Sequence, residues 1–303
     1  MQLFPAFLHC SLTVLVQAGI EHRKIVYENK SARNCSREYM KIFSFTALRK
    51  LALNDVVFVG RPTDGAELGA SIDTELSPAY FPVGTDFFVT SKETDSVCCK
   101  VLSNGYSPIA DGVHAVEGMW VKMLCDLEEG DRCSVTPVKE ALSLAWVTLS
   151  DKGARKQRED GSGPLIESLV REKYDLAYAQ GYMIPDEELQ LRQLLVNLAL
   201  QQKFDLILTT GGTGVAPRDV TPEATSKVID RRLRGIEQAM MAASLKKTPH
   251  AVISRAIAGT LGTSLIVNMP GSTKAVAENL EAVLPAFGHT IAKLQGDPAD
   301  CGN

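Results

Sequence analysis

The stretch TTGGTGVAPRDVTPEAT, residues 209–225, follows directly on the apolar run Leu206, Ile207, Leu208. That order constrains the fold more than any other feature of the chain. An apolar run without polar alternation reads as a strand buried on both faces. Gly211, Gly212 and Gly214 then let the backbone take positive φ and let a ligand approach the main chain. Thr221 suits a helix N-cap and Pro222 the first helical position. A strand that breaks at glycines and restarts as a helix belongs in an open α/β sheet. In such sheets ligands sit beyond the carboxyl ends of the strands.

The rest of the second half agrees. Strands are expected at 143–149, 176–184, 205–210 and 264–268, and helices at 164–174, 187–202, 222–232, 235–245 and 273–294, from apolar runs and helical spacing. This alternation predicts a mostly parallel sheet flanked by helices. Before residue 140 the texture changes to short apolar runs punctuated by Gly and Asp, around 56–60, 87–89, 97–101 and 119–123. That texture predicts a mostly β, barrel-like domain over 1–139, followed by the α/β domain over 140–303. The stretch 37–51 is expected to be helical.

Composition excludes several classes of function. A net charge of −4 over 303 residues is unlike a basic nucleic-acid binder. Seven cysteines, Cys10, Cys35, Cys98, Cys99, Cys125, Cys133 and Cys301, are an odd number, and only the last lies in the second half. They read as reduced thiols in a cytoplasmic protein rather than as a disulfide framework. No CxxC pair offers a zinc site. Residues 1–20 are apolar, but they lack a basic start and are interrupted by Pro5, His9 and Gln17. A buried strand or helix, or a start codon placed too far upstream, is expected there rather than a targeting segment or a membrane span.

The glycine loop fits neither of two familiar phosphate motifs. No Lys follows it as a P-loop requires, and its spacing is GGxG rather than GxGxxG. Asp219 sharpens the reading, because a carboxylate beside a phosphate site repels the ligand unless a cation intervenes. Mg²⁺ is the hard ion suited to one or two carboxylates plus phosphates. The bland alternative is that Asp219 pairs with Arg218 or caps the helix. Asp186, at the end of another strand, is the second candidate, with a plain N-cap as its alternative. Ser150 and Asp151, and Asn268, Pro270, Gly271 and Ser272, follow two more strands. Four such loops on one sheet edge suggest a site.

At these residues the chain resembles the molybdopterin adenylyltransferases, meaning the Mog and MoaB proteins and the G domain of gephyrin. The resemblance is carried by TLSDKGA (148–154), MIPDE (183–187), the glycine stretch, SRAIAGTLGTSLIVNMPGS (254–272) and LPAFGHTIAKL (284–294). It implies a MoaB/Mog-like fold that joins AMP from Mg-ATP to molybdopterin and releases pyrophosphate. It further implies a homotrimer that serves a downstream molybdate- or tungstate-inserting protein. Asp186 and Asp219 match the family's two important aspartates, implied to be catalytic and to hold Mg²⁺. Gly211, Gly212, Thr213 and Gly214 match its phosphate loop. Ser150, Asp151, Asn268, Pro270, Gly271 and Ser272 match its other cofactor-binding loops. Over 82–135 the chain is similar to the back half of a MOSC domain, which implies a cofactor-contacting thiol near Cys98 or Cys99. Two other readings stay open: a non-catalytic molybdopterin-binding or carrier protein, and a bifunctional one whose front domain binds the finished cofactor.

Overall fold

The computed structural model describes residues 22–23, 40–41, 43–60, 68–73, 81–89, 96–108, 114–155, 157 and 159–297. The apolar segment 1–20 lies outside the described residues, as do Cys10, Cys35 and Cys301. The chain divides into two units, Met1–Glu140 and Ala141–Asn303.

In the first unit seven strands close into a barrel: β1 (Phe43–Ala47), β2 (Val56–Gly60), β3 (Ala70–Asp73), β4 (Asp86–Val89), β5 (Ser96–Pro108), β6 (Ala115–Met123) and β7 (Arg132–Val138). Their order is β1-β3-β2-β6-β5-β4-β7, and every neighbouring pair is antiparallel except β2–β3. Among the described residues of 37–51 the expected helix is not formed. Phe43, Phe45 and Ala47 are buried while Ser44 and Thr46 between them are partly exposed, so the period is two and the segment is strand β1. Closure leaves the barrel without open edges and fills its interior with Phe45, Phe87, Val101, Met119 and Val121. Cys98 and Cys99 are consecutive yet both fully buried. Phe87 pairs with Cys99 and Phe88 with Val97, so Cys98 is the extra residue of a bulge.

The second unit is a six-stranded sheet. Its strands are β8 (Leu142–Leu149), β9 (Leu176–Ile184), β10 (Leu206–Thr210), β11 (Arg231–Arg232), β12 (Ala258–Leu261) and β13 (Ser264–Met269), in order β9-β8-β10-β13-β12-β11. The first four in that order are parallel, and β12 and β11 extend the sheet antiparallel. The helices are α1 (Asp151–Ala154), α2 (Ser162–Lys173), α3 (Glu188–Val196), α4 (Thr221–Ser226), α5 (Arg234–Leu245) and α6 (Thr273–Leu294). Every residue of β10 and β13 is buried, as central parallel strands covered on both faces require. Leu144, Leu206, Leu208, Leu265 and Val267 form one core with α2, α5 and α6. Alternate residues such as Val147, Ile207 and Ile266 are equally buried on the opposite face.

Two helix expectations change. The helix at 187–202 ends as α3 and finishes in a π-turn, Asn197–Gln201. The helix at 222–232 stops at Ser226, and its tail becomes β11, held to β12 by Arg231 opposite Thr260. Among the described residues no helix is long and apolar enough to cross a membrane.

Candidate functional site

Because β8, β9, β10 and β13 are parallel, their carboxyl ends share one edge, with Leu149 beside Ile184, and Thr210 beside both Thr148 and Met269. The four loops that follow meet there. Gly211 and Gly212 have φ of +97° and +63°, in the left-handed region that side chains disfavour. A Cβ on Gly211 would lie 2.6 Å from the Leu149 carbonyl oxygen, and one on Gly212 would lie 2.5 Å from the Thr221 hydroxyl. Gly271 packs against Gly211 so closely that its own Cβ would touch the Gly211 Cα at 3.4 Å. The Thr210 hydroxyl donates to the Pro270 carbonyl at 2.7 Å. The glycines therefore permit a close junction between the loops after β10 and β13.

Thr221 does not cap α4. Val220 holds the cap position, and the Thr221 hydroxyl donates instead to the Gly211 carbonyl at 2.8 Å, while its amide donates to Gly212 at 3.1 Å. These bonds turn the loop's carbonyls inward. Among the described residues, no hydrogen bond engages the N–H groups of Gly212, Thr213, Gly214 or Val215. Four consecutive free amides beside left-handed residues make a concave donor surface of the kind that holds phosphate oxygens.

Two carboxylates face this loop. Asp186 does not cap α3; Glu187 occupies the cap position. Its Oδ2 instead accepts from the Asp151 amide at 3.1 Å, and its own amide donates to Asp151 Oδ1 at 3.3 Å. The other oxygen, Oδ1, would sit 3.5 Å from a Cβ on Gly212 and accepts no hydrogen bond among the described residues. Burial pushes the Asp186 carboxyl above its ordinary value. The negative charges of Asp151 and Asp219 add to the rise; the Asp151 amide and Arg218 oppose it. Asp219 lies over Gly214, where its Oδ2 would meet an added Cβ at 2.7 Å, and the same oxygen accepts from the Ala216 amide at 2.8 Å.

Arg218 pairs with neither of these carboxylates. Its guanidinium forks onto Asp151, at 3.2 Å and 2.7 Å, and reaches Glu187 at 2.8 Å. That hydrogen-bonded partner holds the Asp151 carboxyl below its ordinary range. Two adjacent aspartates are thus driven in opposite directions, a pattern common at functional sites.

The remaining sequence candidates have structural work in this fold. Ser150 caps α1 by accepting from Gly153 at 3.1 Å, and Ser272 caps α6 by accepting from Ala275 at 3.3 Å. Asn268 is fully buried beneath the edge, donating to the Thr209 and Thr225 hydroxyls at 2.9 Å each and accepting from the Ile257 amide at 3.3 Å. Thr213 is buried, and its carbonyl accepts from the Arg255 amide at 3.0 Å.

Sequence reasoning gave Arg255 no role. Its guanidinium donates to the Gly214 carbonyl at 2.7 Å and to the Asp219 carbonyl at 2.7 Å, and it pairs with Glu223. Arg255 also lines a cavity of about 490 Å³ together with Glu223, Arg232, Glu237, Met241 and Ser254. The stretch 254–272 carries part of the family resemblance, but only the tertiary contacts show what its arginine holds.

Residues 145–289 match a family model described as "Probable molybdopterin binding domain". Gephyrin of Dictyostelium discoideum is 40% identical over 168 residues, which is 53% of this chain and 23% of that protein. A molybdopterin adenylyltransferase of Helicobacter pylori is 37% identical over 160 residues, covering 52% of this chain and 90% of the relative. The chain therefore spans about a quarter of gephyrin and nearly the whole of the bacterial relative. Among solved structures, the molybdopterin biosynthesis enzyme MoaB of Thermus thermophilus is 40% identical, with 52% of this chain and 99% of that one covered at a TM-score of 0.48.

Proposed function

The chain belongs to the family of molybdopterin-binding domains that includes the Helicobacter pylori molybdopterin adenylyltransferase, and on that premise we propose that it transfers AMP from ATP to molybdopterin, releasing pyrophosphate. The observation that carries this reading is the run of free amides from Gly212 to Val215, flanked by Asp186 and Asp219. In this reaction a terminal phosphate oxygen of the pterin attacks the α-phosphorus of ATP. One P–O bond forms, and the bond between the α-phosphorus and the bridging oxygen breaks. The protein's task is to position the two anions and to offset their charge. The amides of the loop donate to phosphoryl oxygens as charge builds there, already aimed before the reaction begins. The loops after β8 and β13 bound the same edge and fix the glycine loop in place.

The donor set fits Mg²⁺. Among the described residues Asp186 Oδ1 accepts no hydrogen bond, its carboxylate gains from a nearby cation, and Asp219 stands over the same loop. Among the described residues no three metal-ligating side chains converge, so phosphate oxygens and water would complete the coordination. When bound, Mg²⁺ neutralises phosphate charge in the ground and transition states.

The same reading includes assembly as a homotrimer, a cytoplasmic setting and delivery of the adenylate to a molybdate-inserting protein. For the barrel, the MOSC-like reading gives a binding role for the finished cofactor. Cys98 and Cys99 are sealed in its core, so among the described thiols the one placed to touch a cofactor there would be the half-buried Cys125. The test of the main reading compares pyrophosphate release by wild type, Asp186→Ala and Asp219→Ala with Mg-ATP and molybdopterin. Loss of turnover with retained pterin binding supports it. Pterin binding without turnover in wild type would make the chain a carrier instead.

A further inference from the structure

Arg255 touches the glycine loop at three peptide groups, which is more than charge balance requires. A trans peptide plane points its C=O and the following N–H in opposite directions. The Arg255 amide holds the Thr213 carbonyl at 3.0 Å, which fixes the direction of the Gly214 N–H. The Arg255 Nε holds the Gly214 carbonyl at 2.7 Å, which fixes the Val215 N–H. Nη2 holds the Asp219 carbonyl at 2.7 Å, at the point where the loop enters α4. Glu223 anchors the guanidinium from α4 itself. The amides of Gly214 and Val215 are therefore turned away from Arg255, and neither has an acceptor among the described residues.

We infer that Arg255 is a positioning residue that aims the Val215 amide, and with it the mouth of the loop, at a phosphoryl group of the nucleotide. The inference rests on the adenylylation reading for its substrate. It requires no contact between Arg255 and that substrate. Lys cannot replace Arg here, since a single ammonium lacks the planar fork that reaches two carbonyls and a carboxylate at once. The cavity opens on Arg255 and Glu223, so a small cation can enter if the side chain is removed.

The test uses the full chain as wild type, Arg255→Lys and Arg255→Ala, with ATP as the probe. Backbone amide NMR of the wild type should show both Gly214 and Val215 shifting on ATP addition. In both variants Val215 should lose its response. Gly214 should keep it, because the main-chain bond to Thr213 survives the substitution. In turnover, each variant should lose on the order of 10- to 100-fold in kcat, less than the roughly 100- to 1,000-fold of a deleted preorganised donor because the amide is misaimed rather than removed, with the molybdopterin Kd changed less than about threefold. Millimolar guanidinium should restore part of the Arg255→Ala rate. A Val215 response equal to wild type in both variants overturns the inference, as does a wild-type kcat. If wild type turns over nothing but its Val215 response depends on Arg255, the adenylylation reading fails and the positioning role stands. If Arg255→Ala does not fold, Glu223→Ala takes its place: it keeps the arginine but removes its anchor, and it should weaken the Val215 response. An unchanged response there also overturns the inference.

Discussion

Replacing Gly212 by Ala tests whether the left-handed turn is what builds the loop. At φ +63° an alanine costs about 1–2 kcal/mol relative to glycine. Its Cβ would also fall 2.5 Å from the Thr221 hydroxyl, which must move and lose its 2.8 Å bond to the Gly211 carbonyl. Thr221 is fully buried, so losing that bond adds about 1–2 kcal/mol. The sum, about 2–4 kcal/mol, corresponds to a fall in Tm of roughly 5–15 °C for a unit of this size. ATP affinity should fall with it, because the shifted chain also closes on Asp186 Oδ1, 3.5 Å from the new Cβ. Calorimetric unfolding and titration with ATP measure both effects. Gly235→Ala is the control: it lies in α5 with nothing within 4 Å of its Cβ, and it should be neutral or slightly stabilising. If Gly212→Ala unfolds within a degree of wild type and binds ATP equally, the account of the loop is wrong.

Three further outcomes follow from the same geometry. Asp186 has a raised folded-state pKa, so its contribution to stability is complete below the ordinary value of 3.8 and is lost as pH rises through the folded value. Asp186→Asn should therefore be at least as stable as wild type at pH 7, with the difference vanishing in acid, while turnover is lost; thermal unfolding against pH reads this. Arg218→Ala removes the group that depresses Asp151, so the Asp151 carboxyl should titrate closer to 3.8 by carbon NMR, with little change in Tm because the pair is exposed. Asn268→Ala strips partners from the Thr209 and Thr225 hydroxyls and the Ile257 amide, and it should cost about 2–4 kcal/mol in urea unfolding.

Local patterns made much of the second unit legible. The helix expected at 273–294 and the strand at 176–184 have the bounds found, because their apolar spacing and flanking breakers agree. The glycine loop was legible because only glycine tolerates the torsions and contacts at Gly211 and Gly212. What stayed hidden depends on distant partners. The pairing of Arg231 with Thr260 turns the end of an expected helix into a strand. Asn268 reads as an edge residue until Thr209 and Thr225 are seen to absorb its amide. Arg255 lies 41 residues from the glycine whose carbonyl it holds, and no local pattern marks that bond. In the barrel, polar flanks hide the alternation of Phe43, Phe45 and Ala47, so β1 does not stand out as a strand in the sequence.

The central claim is that the glycine edge transfers AMP to a pterin phosphate. A single-turnover reaction of the full chain with Mg-ATP and molybdopterin, analysed by mass spectrometry, tests it most directly. The account predicts adenylylated molybdopterin and one pyrophosphate per adenylate formed, both absent with Asp219→Ala. Bound but unmodified molybdopterin, or pyrophosphate released without any pterin adenylate, would contradict it.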